Sequence, residues 1–293
     1  MKPTKKGINT ICTHYGEIED TQFKGAVSPL FMSSSYAFDE VDIKRYPRYF
    51  NTPNQEALSK KIAALENTES ALIFGSGMAA ISTSLFAFLK AGDHIVLQNT
   101  LYGGTYNLIN EEFEKFGIEF SFTDGFEPSD FEAKIRSNTK VIYIETPSNP
   151  LLTITNIDAI ASIAKKHNLV SMIDNTFASP VNQNPIDFGI DLVMHSATKY
   201  FGGHSDICAG AVAGSKDHLD KKNKDNFEFF NLGTGIGSSV LDVIKSFERV
   251  SNKRLNYKIV NKREGDVVSA YADTKKARRT GHKDQDTIKV KEQ

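Results

Sequence analysis

The chain has 293 residues, of which 40% are hydrophobic and 24% are charged, and its formal net charge is −1. This composition excludes a mostly disordered chain and allows one large domain or two smaller ones. The near-neutral charge gives no overall signal for binding to nucleic acid or to a membrane.

The apolar segments and the cysteines favour a cytoplasmic protein. The longest apolar segment, residues 78–89, is too short to span a bilayer, which needs about 20 residues. Residues 1–6 are followed by a polar stretch and not by the apolar core of a secretory signal. Cys12 and Cys208 are too few for a disulfide framework and fit a reducing compartment.

Residues 1–52 show little hydrophobic periodicity and are predicted to form an extended arm. The arm leads into a run rich in aromatic residues, Arg45-Tyr-Pro-Arg-Tyr-Phe-Asn-Thr-Pro-Asn54. Because a segment without its own core must pack on the following domain or on a neighbouring subunit, we expect a homo-oligomer, a dimer or a tetramer. Thr52 as N-cap and Pro53 at the first helical position predict a helix that runs from Pro53 to Glu66.

Short apolar runs then alternate with helical patterns. The predicted strands cover residues 71–74, 94–97, 118–122, 141–145 and 170–174, and the predicted helices between them cover residues 78–89, 102–116, 129–135 and 157–167. Repeated βα units with continuous apolar strands are typical of an α/β fold, a mostly parallel sheet with helices on both faces. Functional residues should then lie at the carboxyl ends of the strands.

The pattern weakens towards the C-terminus. Residues 209–214 are predicted to form the last strand, and a helical pattern with apolar residues on one face follows at residues 240–247. The α/β domain is therefore expected to cover residues 53–250. Residues 251–293 contain twelve Lys and Arg against six Asp and Glu and few apolar residues, which predicts a basic tail that is solvated or disordered.

Gly75-Ser-Gly77-Met-Ala-Ala80 lies between a predicted strand and a predicted helix. Backbone N–H groups at such a helix N-terminus can bind an anion. The same run loosely matches a dinucleotide-binding loop, but the next predicted strand ends in Gln98 and Asn99, where a dinucleotide site needs an acidic residue. A monophosphate site, a dinucleotide site and a plain tight turn all remain open at this point.

Two other residues follow predicted strands. Asp174 closes an apolar strand, and a buried aspartate needs a partner, which either a cationic heterocycle or the next turn would provide. Tyr102 is followed by Gly103 and Gly104, which would let a ring approach the backbone, although a tyrosine in this place can also be a core residue.

The run Asp191-Leu-Val-Met-His-Ser-Ala-Thr-Lys199 leads from an apolar strand into a polar turn that carries a lysine. Because burying an ammonium is costly, Lys199 is unusual for a surface charge, and a covalent Schiff base would remove its charge. Lys199 is therefore the candidate catalytic residue. His195, His204 and Asp206 lie nearby, but they do not have the spacing of a helical two-His site, so no metal site is predicted.

In this order, a phosphate loop, a tyrosine, a strand-end aspartate and a Ser-x-Thr-Lys turn resemble the pyridoxal-phosphate (PLP) enzymes of fold type I. More narrowly, residues 8–217 resemble the Cys/Met metabolism family, which includes cystathionine γ-synthase, cystathionine γ- and β-lyases, O-acylhomoserine sulfhydrylases and methionine γ-lyase. The resemblance implies a PLP-dependent transsulfuration enzyme that acts on a sulfur amino acid by elimination or replacement.

The resemblance also implies a role for each matched residue. Lys199 would form the Schiff base with PLP and act as general base, and Tyr102 would stack on the cofactor ring and act as general acid. Asp174 would pair with the pyridine nitrogen, and Asn149, in Glu145-Thr-Pro-Ser-Asn-Pro150, would lie near the phenolic oxygen. The phosphate would be bound by Gly77, Met78, Ser196 and Thr198 of the same chain and by Tyr46 and Arg48 of a neighbouring subunit.

Three features bear on the substrate and on turnover. Gly104 stands where methionine γ-lyases tend to carry a cysteine, and Gly203-His-Ser-Asp206 is more similar to the cystathionine enzymes. The family continues into a second domain that supplies an arginine for the substrate carboxylate, and nothing after about Asp217 resembles that domain. A cofactor-binding remnant without turnover is therefore the alternative to an active enzyme.

Overall fold

The computed structural model describes residues 7–37, 41–220 and 240–259. These residues fall into two compact units, a larger one with residues 7–35 and 45–220 and a smaller one with residues 36–37, 41–44 and 240–259. The predicted helix near residue 240 is present in the smaller unit. Most of the predicted tail lies outside the described residues, and the predicted limits of the arm, the domain and the tail stay predictions.

The larger unit is built on a sheet of seven strands in the order β1-β7-β6-β5-β4-β2-β3. The strands are β1 (Ser70–Phe74), β2 (His94–Leu97), β3 (Glu119–Phe122), β4 (Thr139–Glu145), β5 (Val170–Asp174), β6 (Leu192–His195) and β7 (Gly210–Gly214). Strands β2 to β6 pair in parallel, whereas β7 is antiparallel to both β1 and β6. The prediction of a mostly parallel α/β sheet is confirmed.

Helices follow most of the strands. They are α1 (Ile8–His14), α2 (Pro53–Leu65), α3 (Gly77–Phe88), α4 (Gly103–Glu112), α5 (Pro128–Glu132), α6 (Ile157–Lys166), α7 (Ser179–Asn182), α8 (Lys216–Leu219) and α9 (Val240–Ser251), with single 3-10 turns at Pro47–Tyr49, Glu114–Phe116 and Pro185–Phe188. Helix α2 begins as predicted, since the Thr52 N–H donates to Gln55 Oε1 at 3.1 Å in a capping box. None of the described helices is long and apolar enough to cross a membrane.

The sheet separates two apolar clusters because alternate residues of a strand point to opposite faces. On β4, Val141 and Tyr143 belong to the cluster that includes residues of α3 and α4, whereas Ile142 and Ile144 belong to the cluster under α6. All four side chains are fully buried. Each such burial stabilises the fold by about 1.5–3 kcal/mol, so the central strands are held from both sides.

The carboxyl ends of the three central parallel strands lie side by side. Glu145 at the end of β4 is in register with Asp174 at the end of β5, and Asp174 is in register with Met194 on β6. The segments that follow these strands therefore meet at one edge of the sheet.

Candidate active site

A cavity of about 610 Å³ opens at the carboxyl edge of the sheet, a volume within the usual range of small-molecule sites. Its lining includes eight of the predicted site residues, namely Gly77, Met78, Tyr102, Asn149, Asp174, Ser196, Thr198 and Lys199. Five separate chain segments supply them, so only the fold brings them together. The other lining residues are Ser76, Ile81, Glu145, Thr176, Phe177, Tyr200, Gly203, Ser205 and Cys208.

One end of the cavity is the N-terminus of α3. Ser76 caps this helix, since its Oγ accepts a hydrogen bond from the Ala79 N–H at 3.0 Å. The absence of a side chain at Gly77 lets the helix approach the segment after β6, because a Cβ on Gly77 would lie 2.7 Å from the Ser196 Cβ. A helix N-terminus between hydroxyl side chains favours an anion.

Strand β7 packs against this end of the cavity at Ser76. A Cβ on Gly210 would lie 2.1 Å from the carbonyl oxygen of Ser76, so only glycine allows β7 to pass the loop. Thr198 is tied to the residue before β7 in both directions, since its Oγ1 donates to the Ala209 carbonyl at 3.2 Å and accepts from the Ala209 N–H at 3.1 Å. The segment at Ser76, strand β7 and the turn that contains Thr198 and Lys199 are therefore packed against or hydrogen-bonded to one another.

Asp174 brings a carboxylate to the floor of the cavity. Its side chain is buried, and its Oδ1 accepts a hydrogen bond from the Thr176 N–H at 2.9 Å. Burial raises the pKa of this carboxyl above its usual value, and the hydrogen bonds from Thr176 offset only part of that effect. A cationic group beside Asp174 would stabilise the ionised form.

Glu145 is a second buried carboxylate in the same cavity, and its importance was not predicted from the sequence. It is 4% exposed. Burial, and then the neighbouring Asp174, raise the pKa of Glu145 to about 7, against the lowering effect of two backbone hydrogen bonds. Its position at the end of an apolar strand could have indicated a site residue, because the same position indicated Asp174.

Tyr102 stands directly before α4 and is 47% exposed, so the interpretation as a core residue is wrong. Its ring lies against Gly104, because a Cβ at Gly104 would approach the Tyr102 Cε1 to 2.6 Å. The ring therefore depends on glycine at that position.

Lys199 follows β6 in a tight turn, in which its N–H donates to the Ser196 carbonyl at 3.0 Å. The side chain is exposed, so the expectation that burial makes its charge costly is wrong. Lys199 stays the candidate catalytic lysine because it lies in a concave site that also contains Asp174 and Glu145.

The three residues weighed for a metal site do not converge. His195 Nε2 lies 2.5 Å from Glu66 Oε1 in a buried pair, and the exposed His204 lies near the Gly202 carbonyl. Within the described ranges, no group of three or more His, Cys, Asp or Glu side chains could hold a metal ion.

The family model described as Cys/Met metabolism PLP-dependent enzyme matches residues 9–249. The chain belongs to this family. It is 42% identical over 220 residues to a probable cystathionine gamma-synthase of Herpetosiphon aurantiacus, covering 74% of this chain and 69% of the relative. It is 44% identical over 202 residues to the cystathionine beta-lyase MetC of Bacillus subtilis, covering 68% and 51%.

Solved structures show the same likeness. The crystal structure of metB from Corynebacterium glutamicum has a TM-score of 0.71 and 38% identity, with 75% of this chain and 58% of that chain covered. A cystathionine gamma-lyase from Lactobacillus plantarum, complexed with L-serine, has a TM-score of 0.69 and 41% identity, with coverages of 73% and 56%. The chain thus spans between half and about two thirds of the length of these relatives.

The cavity fits the cofactor of the family. PLP carries a phosphate, a ring nitrogen and an aldehyde, and the cavity offers the N-terminus of α3, a buried carboxylate at Asp174 and the amine of Lys199. The close approach of Gly77 to Ser196 forms a cradle that a side chain at residue 77 would fill.

Tyr46 and Arg48 are not among the residues that line the cavity. They flank Pro47 at the 3-10 turn, where Arg48 Nη1 donates to the Tyr46 hydroxyl at 2.5 Å and the guanidinium lies 5.7 Å from the centre of the Tyr46 ring. Both residues are polar and accessible at the end of the arm. Their reach into a neighbouring subunit stays a prediction.

Proposed function

We propose that this chain is a PLP-dependent transsulfuration enzyme that eliminates or replaces a sulfur-bearing or acyl-bearing substituent of an amino acid, with Lys199 as its catalytic lysine. The observation that carries the proposal is that Lys199 lines the same cavity as Asp174 and the N-terminus of α3. At the carboxyl ends of the strands, an amine, a carboxylate and an anion site are suited to the aldehyde, the ring nitrogen and the phosphate of PLP, respectively.

The proposed chemistry uses one proton acceptor and one proton donor. PLP, when bound, supplies an electron sink that makes the Cα proton of an attached amino acid acidic. Lys199 would hold the cofactor through its Nζ, and this amine, once the substrate amine has replaced it on the cofactor, would take up the Cα proton. The Tyr102 hydroxyl donates a proton to the departing substituent. The exposure of the tyrosine ring at the cavity supports this role.

Asp174 and the phosphate end orient the cofactor. The buried carboxylate of Asp174 favours a protonated ring nitrogen, because a cationic partner offsets the cost of its ionisation. Backbone N–H groups of Gly77 and Met78 and the hydroxyl of Ser196 would hold the phosphate, and the Thr198 hydroxyl would join them by turning away from the Ala209 carbonyl. Asn149 lies on the segment after β4 and would contact the phenolic oxygen.

The enzyme is proposed to work as a homo-oligomer, in which Tyr46 and Arg48 of one subunit bind the phosphate held by the next. The two residues support this because they form an accessible pair outside the cavity of their own subunit. We also propose a cytoplasmic location, since Cys12 and Cys208 are free and exposed, which suits a reducing compartment.

A second candidate function is cofactor binding without turnover. It is favoured by one observation, which is that the cavity lining among the described residues contains no arginine for a substrate carboxylate. The two candidates share the cofactor and differ in the reaction that follows.

The test is to titrate the purified full chain with PLP and to record the visible absorption band before and after substrate is added. The proposal predicts a band in the wild type, its loss in Lys199→Ala, and its retention in the matched control Lys165→Ala, which changes an exposed lysine of α6. Release of a 2-oxo acid from cystathionine or an O-acylhomoserine supports the enzyme, whereas an unchanged substrate favours the second candidate. A wild type without a band would refute both.

A further inference from the structure

Glu145 is hydrogen-bonded to two chain segments, and each of them contains a predicted cofactor-binding residue, Tyr102 or Asn149. Its Oε2 accepts a hydrogen bond from the Tyr102 N–H at 2.6 Å, and its Oε1 accepts one from the Asn149 N–H at 3.0 Å. Tyr102 stands directly before α4, and Asn149 lies in the segment between β4 and α6. One carboxylate therefore joins two segments that are separated by more than 40 residues in the chain.

Glu145 is itself held from the neighbouring strand. The side chain of Gln98, fully buried at the end of β2, donates from Nε2 to the Glu145 carbonyl at 2.8 Å and accepts at Oε1 from the Glu145 N–H at 3.4 Å. The same Oε1 accepts from the Thr155 hydroxyl at 2.9 Å, and the same Nε2 donates to the Thr100 carbonyl at 2.8 Å. These contacts fix the backbone of Glu145 relative to β2, and the carboxylate reaches both segments from this fixed point.

The carboxylate suits this task because both partners are donors. Above about pH 7, where Glu145 is ionised, its carboxylate accepts on both oxygens, whereas an amide accepts on one and presents two N–H groups at the other. Hydrogen bonds to a charged group are also stronger than neutral ones. No neutral side chain of the same size satisfies both backbone N–H groups.

We infer that Glu145 is a positioning residue that fixes Tyr102 and Asn149 at the rim of the cavity, so that both meet the cofactor in one geometry. The inference rests on the proposed function, since it assigns the role of Glu145 towards PLP. Glu145 acts through the two backbone N–H groups and takes no proton in the proposed reaction.

The test, at about pH 8 where Glu145 is ionised, compares Glu145→Gln with Glu112→Gln, which changes a half-buried surface carboxylate of α4 that pairs with Lys115. The expected result for Glu145→Gln is an affinity for PLP that is about 10-fold weaker, from the loss of one charge-assisted hydrogen bond. The visible circular dichroism of bound PLP should also change, because the Tyr102 ring loses its fixed orientation. Glu112→Gln should match the wild type in both measurements.

A merely structural role would lower the urea midpoint of Glu145→Gln and leave the circular dichroism of its bound PLP unchanged, and this result would overturn the inference. So would wild-type affinity together with a wild-type spectrum. A wild type that binds no PLP would instead refute the proposed function, so the two failures are distinguishable.

If Glu145→Gln does not fold, hydrogen exchange of the wild-type chain tests the same claim. The Tyr102 and Asn149 amides should be protected to a similar degree, because one carboxylate holds both. Rapid exchange at either amide, with β4 still protected, would overturn the inference.

Discussion

The buried pair of Glu66 and His195 gives a quantitative test of how the end of α2 is joined to β6. Glu66 is fully buried, His195 is 3% exposed, and their Oε1 and Nε2 atoms lie 2.5 Å apart. Asn175 Nδ2 also donates to Glu66 Oε1 at 2.8 Å, and Asn184 Nδ2 lies 3.4 Å from Glu66 Oε2. In His195→Leu the carboxylate loses its ring donor and stays buried, which should cost about 3–5 kcal/mol of unfolding free energy.

Removing both partners should cost less than removing one. In the double variant Glu66→Leu with His195→Leu, no carboxylate is left buried without its partner at this position. The two amides keep other acceptors, since Asn175 also donates to the Gln183 carbonyl at 3.0 Å and Asn184 to the Leu65 carbonyl at 2.8 Å. The double variant should therefore be more stable than His195→Leu alone.

The assay is urea unfolding of the cofactor-free chain at one fixed protein concentration, with comparison of midpoints at equal slopes. His167→Leu is the matched control, because His167 and Glu132 form a pair of 2.7 Å at the surface and its loss should cost less than about 1 kcal/mol. Equal destabilisation by His195→Leu and His167→Leu, or additive costs in the double variant, would refute the reasoning.

Three other predictions concern the cavity. Because the pKa of Glu145 is raised from 4.5 to about 7, its contribution to the stability of the cofactor-free fold is present below about pH 4.5 and is lost as the pH rises through 7. This loss is about 3 kcal/mol of unfolding free energy. Between pH 5 and 8 the thermal unfolding midpoint should therefore change less with pH in Glu145→Gln than in the wild type, and an equal pH dependence in the two proteins would contradict this. Gly210→Ala should weaken PLP binding at least about 10-fold, since its Cβ would meet the Ser76 carbonyl, whereas Gly75→Ala has no heavy atom within 4 Å of its Cβ and should bind more tightly than Gly210→Ala. Similar binding by the two alanine variants in a fluorescence titration would argue against the close approach of β7. Arg48→Ala should release PLP faster from an oligomer during gel filtration, and a monomer that retains PLP normally would contradict the contribution of a neighbouring subunit.

The sequence predicted the strands and the parallel sheet well because their signals are local. Apolar runs such as residues 141–145 are buried on both faces of the sheet, and a continuous apolar run is typical of a central strand in a parallel sheet. The antiparallel direction of β7 was not predicted, since direction depends on the path of the segment before the strand. The close packing of Gly210 on Ser76 is likewise visible only in three dimensions.

The site was predicted in part. Lys199, Asp174 and Tyr102 were predicted as site residues because each ends or follows an apolar strand, and the fold places them in one cavity. Glu145 was overlooked although it ends a strand in the same way. It lies beside Asp174 only through the strand register, and its carboxylate accepts hydrogen bonds from two backbone N–H groups that are distant in the sequence. The exposure of Lys199 could not be predicted from its neighbours in the sequence, since it depends on the shape of the cavity.

The central claim is that Lys199 is the lysine that carries PLP. The most direct measurement is to bind PLP to the full chain, reduce the complex with borohydride, and locate the pyridoxyl group by peptide mass spectrometry. We expect modification of the peptide that contains Lys199, at close to one group per chain. Modification spread over surface lysines, or concentrated on a lysine outside the cavity, would contradict it.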